Sequence, residues 1–248
     1  MSLLRETYAV AWADLRFMRH HLPDIAVSTL MSPLLYVLVF GYGLASYMTG
    51  DGTPYLAIVI PGIAAMTTLS SSFSSTAARL QVQRLFYSCF DEMMLCPIST
   101  PAMVLGKAVM GVIRGMLGSM AILCIGLALS PGLILSPLLV ACMLLSCLTF
   151  SFLGIATALI SKSHQGMTTI NNLVILPMTF LCGTFFSVSS MAPAIKAALF
   201  VFPLSHSTEA ARAAALGWEF PWLSLLALCA FCAAFFILDV HLVRSKKS

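Results

Sequence analysis

Five long stretches of this chain carry no Asp, Glu, Lys or Arg: residues 25–50, 52–78, 115–161, 163–195 and 220–238. A helix that crosses about 30 Å of hydrocarbon needs roughly 20 apolar residues. The five stretches therefore hold five or six spans. Soluble domains carry about 25% charged residues, against 9% here, and the mean hydropathy is +0.98. A water-soluble enzyme is excluded. The fold class expected is an all-α polytopic membrane protein.

The pattern divides the chain further. Leu4, Tyr8, Ala11, Trp12, Leu15, Met18 and Leu22 form a helical stripe, with Arg5, Glu6, Arg16 and His20 away from it. Residues 1–24 thus predict an amphipathic helix in the membrane interface, stopped by Pro23 and Asp24. Six spans follow, at about 25–47, 55–77, 106–129, 136–160, 169–190 and 221–242. The first is too long an apolar run for a signal peptide and reads as retained. Lys107 and Arg114 sit near the start of span three, where basic side chains snorkel to an interface. With the N-terminus inside, ten Lys and Arg fall in cytoplasmic segments and two, Lys196 and Arg212, in outer ones. Both termini are expected in the cytoplasm. The net charge of +4 is scattered over loops, so it gives no nucleic-acid signal.

Two connections are too apolar for solvated loops. The cytoplasmic segment 79–100 displays Leu80, Val82, Leu85, Phe86, Phe90, Met93, Met94 and Leu95, so a membrane surface or a partner should cover it. The outer segment 191–219, broken by Pro193 and Pro203, suits re-entrant half-helices buried in protein. Gly111, Gly115 and Gly118 give span three a face for close helix approach, and Pro33, Pro61 and Pro177 mark kinks. The cysteines lie mostly inside apolar runs and read as small hydrophobes. The Cys229-x-x-Cys232 pair lacks a second pair for a metal.

Chemistry on this chain is sparse. Gly106-Lys107 is followed by Ala108 and lacks the upstream glycine, so no phosphate-cradling loop exists here for ATP. Every acid considered (Asp24, Asp51, Asp91, Glu92, Glu209, Glu219 and Asp239) is placed at a span end or in a loop, which disfavours an ion-coupled carrier. Ser205, His206 and Glu209 invite a hydrolase reading. On one helix, however, Ser205 and His206 point about 100° apart, and triad members converge from separate elements. Ser205 or Ser207 reads as an N-cap, and Glu209 with Arg212 as an i, i+3 pair. His206, Glu209 and Arg212 are kept as an outer gate. Tyr36, Phe40, Tyr42, Phe73, Phe180, Phe185 and Phe186 are the candidates to line a path for an amphiphile.

Four pieces in order carry a resemblance. They are Phe40-Gly41-Tyr42-Gly43-Leu44; Tyr55 to Pro61-Gly62; Asp91-Glu92-Met93-Met94-Leu95-Cys96-Pro97-Ile98-Ser99; and Gly183 to Ser187 with Pro193, Phe202 to His206 and Arg212. Together they resemble the permease subunit of type-2 ABC exporters, the ABC-2 type family of nodulation-factor, polysaccharide and daunorubicin-resistance exporters. The resemblance covers essentially the whole chain as one transmembrane domain. It implies a multi-pass protein of the bacterial inner membrane, paired with a second copy and with two cytosolic ATPase subunits. ATP and Mg would be held by those partners, and this chain would bind no cofactor. Asp91, Glu92, Met93, Met94, Leu95 and Pro97 would couple to the ATPase. The family's arginine-glutamate-glycine-threonine run is replaced here by Tyr87-Ser88-Cys89-Phe90. The alternatives are a self-contained secondary transporter or channel, and an intramembrane hydrolase.

Overall fold

A computed structural model describes residues 3–39, 55–130, 132–181 and 199–247, and every regular element among them is helical. The first helix, α1 (Leu3–His20), ends in a turn at His21. Then α2 (Leu22–Tyr36) leaves at 86°, the bend expected where an interface helix meets a span. Pro23 in the first turn of α2 costs no hydrogen bond, because those N–H groups are unpaired in any helix. Pro33 does cost one. The Val37 N–H is shared between the Pro33 and Leu34 carbonyls, and residues 37–39 continue as a π-helical turn.

Helix α3 (Tyr55–Leu85), with 31 residues, is about 46 Å long at 1.5 Å per residue. It runs through the centre of the bundle. After the short α4 (Cys89–Leu95) come α5 (Thr100–Leu129) and α6 (Pro137–Ile160). Next, α7 (His164–Ile170), a π-helical turn (Asn171–Ile175) and α8 (Leu176–Leu181) form one irregular run, the turn lying just before Pro177. The last two are α9 (Pro203–Leu216) and α10 (Trp222–Lys247). Four of these, α3, α5, α6 and α10, are long and apolar enough to cross a membrane, and the bent α1–α2 pair would make a fifth. They carry four of the expected spans. The remaining two, 25–47 and 169–190, extend beyond the described residues.

Apolar side chains gain little by leaving lipid for protein, so close backbone approach has to hold the bundle. The glycine face of α5 supplies it. A Cβ on Gly111 would strike Thr76 and Ser151, one on Gly115 would strike Ser72 and Cys147, and one on Gly118 would strike Thr29 and Thr67. Helix α3 is thereby sunk between α5 and α6, with Ile63, Leu69, Phe73, Ile122, Met143 and Phe150 closing the core. A second core, with Leu80, Phe90, Met103, Phe152 and Val243, fills the end of the bundle that bears α1 and α4. Helix α10 packs mainly on α6 and exposes Trp222, Leu223, Leu226 and Ile237. At 14 residues α9 reaches only about 21 Å and cannot span the bilayer. It is buried along almost its whole length, and its last carbonyls take the Ile134 N–H and the Ser136 hydroxyl.

Candidate functional site

The charged residues of the α4 end form a lock. Asp14 lies on the inner face of α1, 1% exposed. Its Oδ2 takes Lys107 Nζ of α5 at 2.8 Å. Its Oδ1 takes Arg79 Nε at 3.1 Å and Gln83 Nε2 at 2.7 Å, both from α3. Lys107 Nζ also donates to Gln83 Oε1 at 2.6 Å, and the Arg79 guanidinium lies 3.9 Å from the centre of the Phe17 ring. One buried carboxylate thus ties three helices. Lys107 does not snorkel to an interface, as its place near the start of a span suggested; it is turned inward because Asp14 meets it. A second tie holds the start of α1, where Glu6 accepts the Ser99 hydroxyl and amide at 2.6 and 3.0 Å. These two bonds hold its carboxyl below the usual carboxylate range.

Because Asp14 pulls on one face of α1, the helix is rolled. Val10, Ala11, Asp14 and Met18 face the bundle, while Leu4, Tyr8 and Trp12 from the apolar stripe are left exposed. The segment after α3 is likewise only partly free. Phe90 and Met94 are buried in the α4-end core, which also holds side chains of α3, α5 and α6, so the reading that Met94 lacks cover inside the molecule is corrected. Met93 is half-buried. What stays bare is Phe86 at 73%, Tyr87 at 65% and Leu95 at 89% exposure. Asp91, Glu92 and Pro97 are exposed alongside them. Arg84 turns the other way and donates to the Ala158, Leu159 and Ser161 carbonyls at the end of α6.

At the opposite end, each of the three expected gate residues is bonded to a neighbour. His206 Nε2 meets the Phe200 carbonyl at 3.0 Å. Glu209 accepts the Ser224 hydroxyl of α10 at 2.6 Å. Arg212 Nε donates to the Ile58 carbonyl at 3.0 Å. That carbonyl lies three residues before Pro61, which has no backbone N–H to donate to the α3 ladder. The N-cap of α9 is Phe202, not a serine. Ser205 donates instead to the Leu199 carbonyl at 2.7 Å, and the Ser207 hydroxyl pairs with that of Ser146 at 2.6 Å. Ser205, His206 and Glu209 thus point to three different neighbours, and no triad forms.

Two adjoining clefts open along α3. The larger, about 550 Å³, lies between α1, α2, α3 and α5 and has Arg79, Arg114, Ser70, Ser71, Ser74 and Ser75 in its wall. The smaller, about 260 Å³, shares Pro33, Ser70 and Ser74 with it and continues past Met66, Tyr36, Leu176 and Phe180. Of the expected path aromatics, Tyr36 and Phe180 line this second cleft. Phe73 is 1% exposed in the closed core and borders neither. Phe40, Tyr42, Phe185 and Phe186 lie outside the described residues. The polar wall was not singled out from the sequence. The signal was there: eight of the ten residues from Thr67 to Thr76 are hydroxylic, in the middle of a span.

A bundle of membrane-length helices with a buried ion lock at one end and clefts along its central helix is that of a polytopic membrane protein. The chain belongs to the ABC-2 type transporter family, whose sequence profile matches residues 5–216. It is similar to the inner membrane transport permease YadH of Escherichia coli K12, with 26% identity over 92% of this chain and 90% of that protein. It is also similar to nodulation protein J of Neorhizobium galegae, 26% identical over 90% of this chain and 87% of that one. The nodulation protein J of Rhizobium meliloti strain 1021 matches at 26% over 89% and 86%.

Proposed function

We propose that the chain is the permease subunit of an ATP-driven exporter in a bacterial inner membrane, moving an amphiphile by alternating access. Two copies of six spans each, with all termini in the cytoplasm, would enclose the path, and two cytosolic ATPase subunits would drive it. The observation that carries this reading is the bare patch of Phe86, Tyr87 and Leu95 beside Asp91 and Glu92. It stands on α4 and the turn before it; α4 packs on α3 and shares the α4-end core with side chains of α5 and α6. A partner that grips this patch moves the transmembrane helices directly. The absence of a phosphate-cradling loop, the family membership and the permease name of the Escherichia coli relative support the same conclusion. Cores switch between discrete packings rather than deform smoothly, so a push on α4 would select an inward- or outward-open state. Affinity purification of the tagged full chain from its own membranes tests this. An ATPase with a phosphate-cradling loop should co-elute in near-equal amount; its consistent absence contradicts the reading.

One observation favours a second reading, a proton-coupled carrier. Asp239 is not a solvated residue at a span end: it is 0% exposed inside α10. Neither carboxylate oxygen has a hydrogen-bond partner among the described residues. An intramembrane acid is a candidate proton carrier by default. Asp239→Asn separates the two readings, since an ATP-driven exporter keeps its transport and a proton-coupled carrier loses it.

A further inference from the structure

We propose that the larger cleft beside α3 binds the anionic head group of an amphiphile and is the head-group subsite of the transported molecule. Its role in transport rests on the exporter reading above; its capacity to bind does not.

Arg79 and Arg114 stand on the wall, and Lys107 lies buried behind it. Arg79 and Lys107 share the single carboxylate of Asp14, so that assembly keeps one positive charge in excess. Arg114 adds another. It lies midway along the 30-residue α5, and no carboxylate among the described residues is within ion-pair distance of it. Its Nη2 has only two long contacts, 3.4 Å to each of the Ser28 and Thr29 hydroxyls, and its buried Nε has no hydrogen-bond partner. No acidic residue among the described ones lines either cleft. Cations held within a span normally pair with an acid or mark a ligand path, and no such acid stands beside Arg114 among the described residues.

The geometry selects the missing anion. A guanidinium fork matches the paired oxygens of a phosphate or carboxylate. The facing wall of α3 offers further donors. Ser75 is committed to the Ser71 carbonyl at 2.6 Å, but the Ser71 and Ser74 hydroxyls make no hydrogen bond among the described residues. A volume of about 550 Å³ lies within the usual range of ligand sites. The smaller cleft begins at the shared Ser70 and Ser74 and sets Met66, Ile175, Leu176 and Phe180 beside the polar Thr67, Asn171 and Thr179. A cationic compartment that opens toward these apolar side chains fits a head group followed by its chain.

The test uses the purified full chain in phosphatidylcholine nanodiscs, probed by native mass spectrometry with short-chain phosphatidylglycerol. Short-chain phosphatidylcholine is the zwitterionic control and inorganic phosphate the free anion. Phosphatidylglycerol should bind at least tenfold more tightly than either control. Arg114→Gln should weaken it at least tenfold, and Arg114→Lys should restore part of the loss. Ser74→Leu, on an exposed face of α3, should block binding at an unchanged melting temperature, and decides the matter if Arg114→Gln does not fold. Equal binding of both lipids, or insensitivity to Arg114→Gln and Ser74→Leu, overturns the proposal. Phosphate bound as tightly as the lipid overturns its amphiphile form. Binding as predicted in a chain that co-elutes with no ATPase leaves the site standing and removes the exporter reading. Loss of binding preference with the ATPase retained does the reverse.

Discussion

Asp14 is the residue on which the α4 end turns, and its partners lie 65, 69 and 93 positions away in the chain. Removing one member of a buried ion pair strands the other, at a cost of about 3–5 kcal/mol, whereas replacing both with apolar residues is often neutral. Asp14→Ala should therefore destabilise the purified protein by about that amount, and Asp14→Leu with Lys107→Met should recover most of it. Thermal unfolding in detergent checks both. Two separately additive losses would mean that the pair is not coupled. The sequence showed Lys107 as a basic residue near the start of a span and suggested the interface. Nothing local to Lys107 names Asp14, which stands on a different helix. Arg212 presents the same difficulty, because its acceptor is a carbonyl beside Pro61 and a main-chain oxygen leaves no mark in the residue pattern.

At the scale of the elements, legibility followed from periodicity. The long charge-free stretches became α3, α5, α6 and α10 because hydropathy over 20 residues is enough to define a span. The glycine spacing at 111, 115 and 118 correctly marked the face that receives α3. Gly115→Leu should therefore push α3 away and lower stability by about 1–3 kcal/mol or more, while Gly132→Ala, with no atom within 4 Å of the added carbon, should change little. Melting temperatures of the two variants test that contrast. The apolar segment after α3 was legible as a surface needing cover, but not which residues the protein covers itself. Helical phase within seven residues decides that: Phe90 and Met94, one turn apart, face inward and leave Leu95 outside. Met94→Ser should accordingly cost about 2–5 kcal/mol of folding stability. Leu95→Ser should leave the fold intact and weaken ATPase retention by roughly tenfold or more, if docking buries a side chain worth about 1.5–3 kcal/mol. Melting and co-elution, measured on both variants, should separate the two effects.

For the molecule as a whole, the account is one of division of labour. On the proposed function, the chain would supply the helical path; its ion lock ties α1, α3 and α5 together, and its bare apolar patch is where force would enter. It has no phosphate-cradling loop of its own. The ten-to-two distribution of basic residues predicts that the lock and the patch lie on the cytoplasmic side. A reporter fused after Ser248 should therefore be active only inside the cell, and activity on the outer face would contradict that orientation. The central claim is that ATP turnover by a partner is coupled to this chain through Phe86 and Leu95. Its most direct test is the ATPase activity that co-elutes with the tagged full chain, compared with that of the Phe86→Ser, Leu95→Ser variant. The account predicts a robust activity with the native chain and its loss with the variant, at equal recovery and unchanged melting temperature of the permease. Equal activity from both, or none from either, would contradict it.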